Sequence, residues 1–312
     1  MYFPYIRGKQ YDLIAMKELG DVLQSNGSKI SPIIEPVKDS PTLKNTLADL
    51  ASRSINFNII VNPSVGDLTN STQQIIGILE NELVTYSNYQ IAILVDQGFG
   101  DVEYLDLIRA GSIKASGFTL IHNAVVENPV ELLELHQSVI PVVNNIVNFQ
   151  KTNRRYDRNF EADTVVSLED FFNAQNKNAD FLNINESFFS EEHLFFKRDG
   201  IKGFSDFLTI GESYSETGFL PYAVVIHLTY ADQDRKIRIR HFVSDSNNDS
   251  SDIGGKFAEA LDKLIVWVND NGLDTLAVRH FRDLHYNGHF PGLGSLKKLS
   301  IMNHIEIVLG LI

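Results

Sequence analysis

Short apolar runs rich in isoleucine and valine recur along the first half of the chain. They end at Ile6, Ile34, Val61, Val95, Ile121 and Val147, at intervals of 28, 27, 34, 26 and 26 residues. Each run is too short for a helix and is continuously apolar, which is typical of strands buried on both faces. Between the runs, apolar residues recur with helical spacing, as at Leu43, Leu47 and Leu50. The pattern therefore predicts strands that alternate with helices.

Strands that alternate with helices in this way form a parallel sheet, because a parallel pair needs a crossover connection. Two architectures satisfy the pattern, a closed (β/α)8 barrel and an open doubly wound sheet. An open sheet that binds dinucleotides usually has several glycines in the turn after its first strand, whereas Gly8 is the single glycine between Ile6 and Tyr11. We therefore predict an α/β fold of the (β/α)8 class, similar to a TIM barrel. Its last parallel strands are expected at Thr164–Leu168 and Phe207–Ile210.

The second half of the chain is less regular than the first. Residues 171–200 are rich in Asn, Phe and acidic side chains and predict a helix and a loop, and residues 245–252 predict a polar loop. Alternating apolar positions over 223–243, around Asp232–Asp234, predict a β-hairpin, which a C-terminal helical region follows. No segment between these parts has the composition that is typical of a linker between domains. We expect one barrel-like domain over 1–312, with regular units in 1–150 and irregular units, the hairpin and additional helices in 151–312.

Composition and charge narrow the classes of function. The chain has 312 residues, a formal charge of −13 and no cysteine, which excludes disulfides, thiolate metal sites and thiol nucleophiles. The acidic balance argues against a broad surface for nucleic acid, since phosphate contacts need clustered Lys and Arg. No apolar run approaches the roughly 18 residues of a spanning helix, and residues 1–9 lack the pattern of a secretion signal. We expect a cytoplasmic protein that does not associate with membranes.

The carboxyl ends of the predicted strands are where a parallel barrel carries its catalytic groups. Candidate catalytic residues at these ends are Glu35, Asp96, His122 and Asp206, and candidate ligand-binding residues are Lys9, Asn62, Asn123 and Asp170. At one shared mouth, the carboxylates and the imidazole would act as acid and base or hold a divalent cation such as Mg²⁺, and Lys9 would neutralise an anionic substrate group. A structural polar network is the alternative, because strands without any catalytic role also end in polar residues.

The predicted hairpin carries two histidines and a group of basic residues. With Tyr230 opposite Ile237, His227 faces Arg240 and His241 faces Ile226, so the two histidines are not expected to share a metal. The basic group consists of Arg235, Lys236, Arg238 and Arg240. Four basic residues on one hairpin give only weak, salt-sensitive attachment to DNA, so we expect no direct nucleic-acid binding by this group alone.

Five motifs are spread over nearly the whole chain: YFPYIRGKQ at 2–10, GFSDF at 203–207, PYAV at 221–224, HFVSDS at 241–246 and PGLG at 291–294. In this order they resemble a bacterial family without known biochemistry that is named after a Sorangium locus. That family is distantly similar to the beta-protein family of phages. Its members are often encoded beside a protein that resembles a restriction-type nuclease. The resemblance implies a role near mobile elements or phage defence and supplies no catalytic residues.

Two classes of function follow from these observations. The first is a binding or regulatory barrel that works with a partner in defence, the partner being the nuclease-like protein encoded by a neighbouring gene. The second is a barrel enzyme that acts on a phosphorylated or nucleotide-like small molecule by carboxylate and histidine chemistry or with Mg²⁺. The two differ in geometry: an enzyme needs the candidate side chains within about 4–6 Å of one another, whereas scattered or buried and paired side chains favour the binding protein.

Overall fold

We describe the protein from a computed structural model, in which residues 1–97, 103–110, 113–153, 155–215 and 220–312 are described. These residues group into two compact units. The first comprises Met1–Asp170 and Glu192–Asp206, and the second comprises Phe171–Glu191 and Phe207–Ile312. The expectation that the chain forms a single domain stays a prediction. Among the described residues, no helix combines the length and apolar character that crossing a membrane requires.

Eight parallel strands of the first unit form a nearly closed barrel, so the predicted α/β (β/α)8 fold is confirmed. The strands pair in the order β1 (Tyr5–Arg7), β2 (Ile33–Glu35), β3 (Phe57–Ile60), β4 (Tyr89–Val95), β5 (Gly117–His122), β6 (Val142–Asn148), β7 (Val165–Glu169) and β9 (Gly203–Asp206). The last strand approaches the first through a parallel bridge between Tyr2 and Phe204. The backbone N–H of Phe3 also donates to the carbonyl of Phe204 at 2.9 Å.

Helices connect the barrel strands, as the periodicity predicts. They are α1 (Gln10–Glu18), α2 (Gly20–Ser25), α3 (Pro41–Ser52), α4 (Thr72–Glu82), α5 (Glu103–Ala110), α6 (Pro129–Gln137) and α7 (Glu192–Phe195). The start of α3 shows why a helix begins at this point of the sequence. Pro41 occupies the first turn, and the Ser40 hydroxyl accepts a hydrogen bond from the N–H of Leu43. Leu43, Leu47 and Leu50 are all buried.

The last barrel strand does not lie in the apolar segment that was predicted to form it. The prediction of a strand at Phe207–Ile210 is wrong, since the strand runs over Gly203–Asp206 and Leu208 has a φ of +56°. The reason is a close backbone approach. A Cβ on Gly203 would lie 2.1 Å from the carbonyl oxygen of Met1, so glycine is required where the barrel closes.

Buried polar side chains identify the inner face of the barrel. The Thr119 hydroxyl on β5 donates to Asn58 Oδ1 on β3 at 2.5 Å, although β4 lies between these strands in the sheet. Asn144 Nδ2 on β6 donates to the Thr119 hydroxyl at 2.8 Å. Side chains of strands that are not neighbours meet only through the barrel interior. Because side chains alternate along a strand, Ile121 shares this inner face and His122 points to the outer face.

The second unit contains a three-stranded antiparallel sheet in the order β10 (Val225–Ala231), β11 (Ile237–Val243) and β8 (Glu186–Ser190). The hairpin of β10 and β11 confirms the prediction for 223–243. Strand β8 and a 3₁₀ helix at Asn178–Asn183 lie where a helix and a loop were expected. Three helices complete the unit: α8 (Ile253–Asp270), α9 (Leu276–Asn287) and α10 (Leu293–Leu311).

The polar loop at 245–252 is fixed by charged side chains of α8. The Glu259 carboxylate accepts from the backbone N–H groups of Asp245 and Ser246 at 2.7 and 2.9 Å. Lys263 Nζ donates to Asp245 Oδ1 at 2.6 Å, and Lys256 pairs with Asp249. Since these helix residues are spaced by three and four positions, they lie on one face of α8 and hold the loop along it.

Candidate functional site

Glu35 lies at the carboxyl end of β2 on the inner face and is completely buried. Its Oε2 accepts hydrogen bonds from the Tyr5 hydroxyl at 2.6 Å and from the Arg7 guanidinium, with which it forms an ion pair. Its Oε1 accepts from the backbone N–H and the hydroxyl of Ser64 at 2.8 and 2.9 Å. Both carboxylate oxygens are therefore engaged by donors of the protein itself.

Two candidate ligand-binding amides link neighbouring strand ends. Asn62, which follows β3, donates to the carbonyl of Leu94 on β4 at 2.9 Å and accepts from its N–H at 2.8 Å. Asn123, which follows β5, accepts from Asn148 of β6 at 3.3 Å. The side chain of Asn62 thus extends the hydrogen bonding between β3 and β4 beyond the sheet, and Asn123 connects the ends of β5 and β6.

A third link of the same kind involves Asp170 after β7. Its backbone N–H donates to Gln150 Oε1 at 2.9 Å, and its backbone carbonyl accepts from Gln150 Nε2 at 3.2 Å. The contact uses the main chain of Asp170, while Gln150 follows β6. Together these contacts join the strand ends of β3 to β4, of β5 to β6 and of β6 to β7.

Lys9 and Asp96 also lie at strand ends, and both are accessible to solvent. Lys9 is half-buried directly before α1, and Asp96 is exposed directly after β4. The turn that leads to Lys9 is tight: Gly8 N–H donates to the Glu35 carbonyl at 2.7 Å, and a Cβ on Gly8 would lie 2.8 Å from that oxygen. This is a second position where only glycine fits.

His122 lies on the outer face of the barrel, away from Glu35. Its Nε2 contacts Asn145 Oδ1 at 3.2 Å, its Nδ1 contacts the Tyr156 hydroxyl at 3.2 Å, and its ring packs on Phe160. Burial lowers the pKa of His122 to about 4, against a smaller opposing effect of the Asn145 hydrogen bond. A neutral imidazole in an aromatic cluster is the result, and the expectation that His122 shares the mouth is corrected.

Asp206 also points away from the barrel interior. In the register, Leu168 pairs with Ser205 and Glu169 with Asp206, and Leu168 pairs on its other side with the inner residue Asn148. Ser205 therefore shares the inner face, and Asp206 lies on the outer one. The buried Asp206 carboxylate accepts from the Tyr2 hydroxyl at 2.8 Å, and burial followed by the charge of Asp206 raises the pKa of Tyr2.

The candidate residues thus fall into separate environments. Glu35 is on the inner face within a saturated network, His122 and Asp206 are on the outer face, and Asp96 is exposed. Asn62, Asn123 and Asp170 join adjacent strand ends. Within the described ranges, no cluster of three or more His, Asp or Glu side chains is arranged to hold a metal ion.

The hairpin holds a pair of side chains that the expected register separated. His227 lies directly opposite His241, and their Nδ1 atoms are 2.8 Å apart. The prediction that placed His227 opposite Arg240 is wrong by one residue on one strand. Phe181 packs on both imidazoles, and burial lowers the pKa of His241 to about 4.

The basic residues of the hairpin are largely paired. Arg238 and Arg240 both contact Glu186, at 2.8 and 3.0 Å, and Lys236 contacts Glu191 at 2.9 Å. Burial opposes ionisation of Glu186, but hydrogen bonds from Tyr230 and from the two guanidiniums outweigh it and lower the pKa of this carboxyl. These ion pairs reduce the positive potential that phosphate binding requires.

In comparisons with known proteins, no family model matches the chain and no curated protein matches it.

Proposed function

We propose that the protein is a binding protein, the accessory member of an anti-phage or mobile-element defence pair that acts in the bacterial cytoplasm through a nuclease-like partner protein. The resemblance of its five ordered motifs to a family encoded beside such a nuclease supports the partner and the setting. The barrel then serves as a rigid scaffold, and its surfaces carry the function.

One observation carries the choice of a binding protein over an enzyme: the candidate catalytic groups do not converge. General acid and base catalysis requires groups within hydrogen-bond reach of a common reacting atom. Glu35 and His122 lie on opposite faces of the barrel wall, and Asp206 lies on the outer face as well. The alternation of side chains along each strand fixes these directions, so a small movement of the loops does not bring them together.

The hydrogen bonds of Glu35 also favour a binding protein over an enzyme, because they occupy both of its carboxylate oxygens. A carboxylate that already accepts from Tyr5, Arg7 and Ser64 has to break one of these contacts before it takes a proton from a substrate. Losing a donor to a buried charge costs about 1.5–3 kcal/mol. Its contacts favour a structural role at the barrel rim.

The direct test is complex formation. The chain and the nuclease-like protein encoded beside its gene are co-expressed with a tag on one of them, and light scattering after size exclusion gives the mass of the purified complex. We expect a stable complex of fixed stoichiometry. Absence of a complex at micromolar concentrations would refute the proposal.

A second measurement addresses the enzyme alternative. The purified protein is incubated with a panel of nucleotides and sugar phosphates with and without Mg²⁺, and consumption is followed by mass spectrometry. We expect no turnover. Turnover that Asp96→Asn abolishes would establish the enzyme instead.

A further inference from the structure

A cleft beside α8 is the feature of the second unit that best fits a partner. We call it the α8 cleft. Its volume is about 570 Å³, within the range of ligand and peptide pockets. It is lined by residues of α8, by Arg240–Val243 of β11, and by Leu182 and Asn185.

The apolar part of the α8 cleft is both exposed and held in place. Val266 is 62 % exposed and Leu182 is 43 % exposed. Trp267 also lines the cleft, and its ring packs against Tyr230 and Phe242, with ring centres 4.8 and 5.9 Å apart. A tryptophan that is already fixed by its neighbours loses little entropy on binding, which is a property of interface hot spots.

The cations of the α8 cleft are engaged by other groups of the chain. Arg240 lies over the Trp267 ring at 5.5 Å and pairs with Glu186. Lys263 pairs with Asp245 at 2.6 Å and also donates to the carbonyl of Val243. A negatively charged ligand therefore has to compete with these contacts for either cation.

The negative charges of the α8 cleft are largely uncompensated. Asp262 contacts the imidazole of His285 at 2.9 Å, and both Asp262 and Asp270 are exposed. In the part of the chain that the structure describes, the carboxylate of Asp270 makes no hydrogen bond or ion pair. The cleft therefore combines an apolar surface with two exposed carboxylates, while its two cations are held by other groups of the chain, and this arrangement favours a cationic ligand over nucleic acid.

The spacing of these residues defines the ligand more closely. Asp262, Val266 and Asp270 are four residues apart, so they form a line along one side of α8. At 1.5 Å per residue the two carboxylates are separated by about 12 Å, with the exposed valine midway between them. We propose that the α8 cleft binds a segment of the partner protein in which an apolar side chain is flanked on both sides by Lys or Arg. This inference rests on the proposed function, since it supplies the surface through which the protein acts.

A displayed library of random twelve-residue peptides tests this inference without the nuclease-like protein. Peptides are selected on the wild-type chain, synthesised with a fluorophore, and measured by anisotropy. The test variant is Asp262→Lys with Asp270→Lys, and the matched control is Glu131→Lys with Glu134→Lys on the exposed surface of α6. Both variants change the net charge equally, and circular dichroism verifies their folding.

We expect the selected peptides to carry an apolar residue between basic residues. Their affinity should fall at least tenfold in the α8 variant, remain unchanged in the control, and decrease as salt rises. A Val266→Ser variant, which keeps the charge, should also weaken binding. No selected peptide, peptides without basic residues, or equal binding to the α8 variant would overturn the inference.

A second copy of this chain is the other occupant that the test distinguishes. Light scattering that shows a wild-type dimer and a monomeric Asp262→Lys, Asp270→Lys variant would replace the inference with a homotypic interface. Failure of the peptide experiment leaves complex formation with the nuclease-like protein to its own test, so the two proposals fail separately.

Discussion

Arg7 and Glu35 lie directly opposite each other on β1 and β2 and form a buried ion pair at the inner rim of the barrel. The Arg7 side chain also lies over the Tyr5 ring, with its guanidinium carbon 5.4 Å from the ring centre. Glu35, one of the catalytic candidates from the sequence, therefore joins the first two strands through this ion pair.

Breaking this pair on one side should destabilise the protein strongly. We expect Glu35→Gln to lower the free energy of unfolding by about 3–5 kcal/mol, because it leaves the buried Arg7 charge uncompensated. The double variant Arg7→Met, Glu35→Gln should cost less than the sum of the two single variants. Urea unfolding at pH 7 measures all three.

The matched control is an ion pair near the surface. Arg53 pairs with Asp21, whose side chain is 93 % exposed. Asp21→Asn should cost less than about 1 kcal/mol. A Glu35→Gln variant as stable as Asp21→Asn would contradict the assignment of Glu35 to a structural network.

His122 should make stability depend on pH. Burial lowers its pKa from 6.5 to about 4 in the folded chain, so the unfolded chain binds more protons between these values. The contribution of His122 to stability is then present above pH 6.5 and is lost as pH falls toward 4, by about 1.6 kcal/mol between pH 6.5 and 5. Urea unfolding at several pH values measures the slope.

The contribution of His122 is separated by His122→Gln, which retains a polar group near Asn145 and Tyr156. The buried His241 titrates in the same direction and remains in both proteins. We expect the variant to lose less stability than the wild type between pH 7 and 5. Parallel curves for the two proteins would refute a buried, neutral His122.

Closure of the barrel should depend on the hydroxyl of Tyr2. This hydroxyl donates to the buried Asp206 carboxylate, and the Tyr2 ring stacks on Phe204 at 5.2 Å between centres. Tyr2→Phe keeps the ring and removes the donor, so we expect a loss of about 1.5–3 kcal/mol in unfolding free energy. Tyr222→Phe, at an exposed tyrosine, is the control and should change stability little. Equal stabilities of the two variants would contradict the proposed role of Tyr2.

The hairpin register gives a prediction that suits a chain without cysteine. The His241 N–H donates to the Asn185 carbonyl, so His227 and His241 form a pair without mutual backbone hydrogen bonds, at which Cα atoms are about 4.5 Å apart. This spacing lies within the range of disulfides. We expect His227→Cys, His241→Cys to form a disulfide in air, measured as a loss of two thiols.

The control for the register is His227→Cys, Arg240→Cys, which places the two thiols on opposite faces of the hairpin. Its two thiols should not form a disulfide with each other within one molecule. A disulfide in this control and none in the first variant would restore the register expected from the sequence.

The sequence predicted the barrel because continuous apolar runs at regular intervals report buried parallel strands. It also located the ends of β1 to β7 to within one residue. It failed on the last strand, since Gly203–Asp206 is less apolar than Phe207–Ile210, and the need for Gly203 arises only from the close approach of Met1 in the folded barrel. The apolar character of a segment gives no information about that contact.

The candidate site shows a second limit of the sequence. A strand end is visible in the sequence, but the direction of its last side chain depends on one residue of register. Glu35 and His122 both end apolar runs, yet one faces inward and the other outward. The hairpin shows the same effect, because a loop over residues 232–236, closed by Asp232 and Lys236, shifts His227 opposite His241.

Protection against phage is the most direct measure of the central claim that the protein acts by binding and not by chemistry at the barrel mouth. Plating efficiency is compared for cells that carry the nuclease-like gene with the wild-type chain, with Asp96→Asn, or with Lys9→Gln. We predict equal protection by all three at equal protein levels. A loss of a hundredfold or more, as removal of a general acid or base produces, with the complex intact would contradict the account.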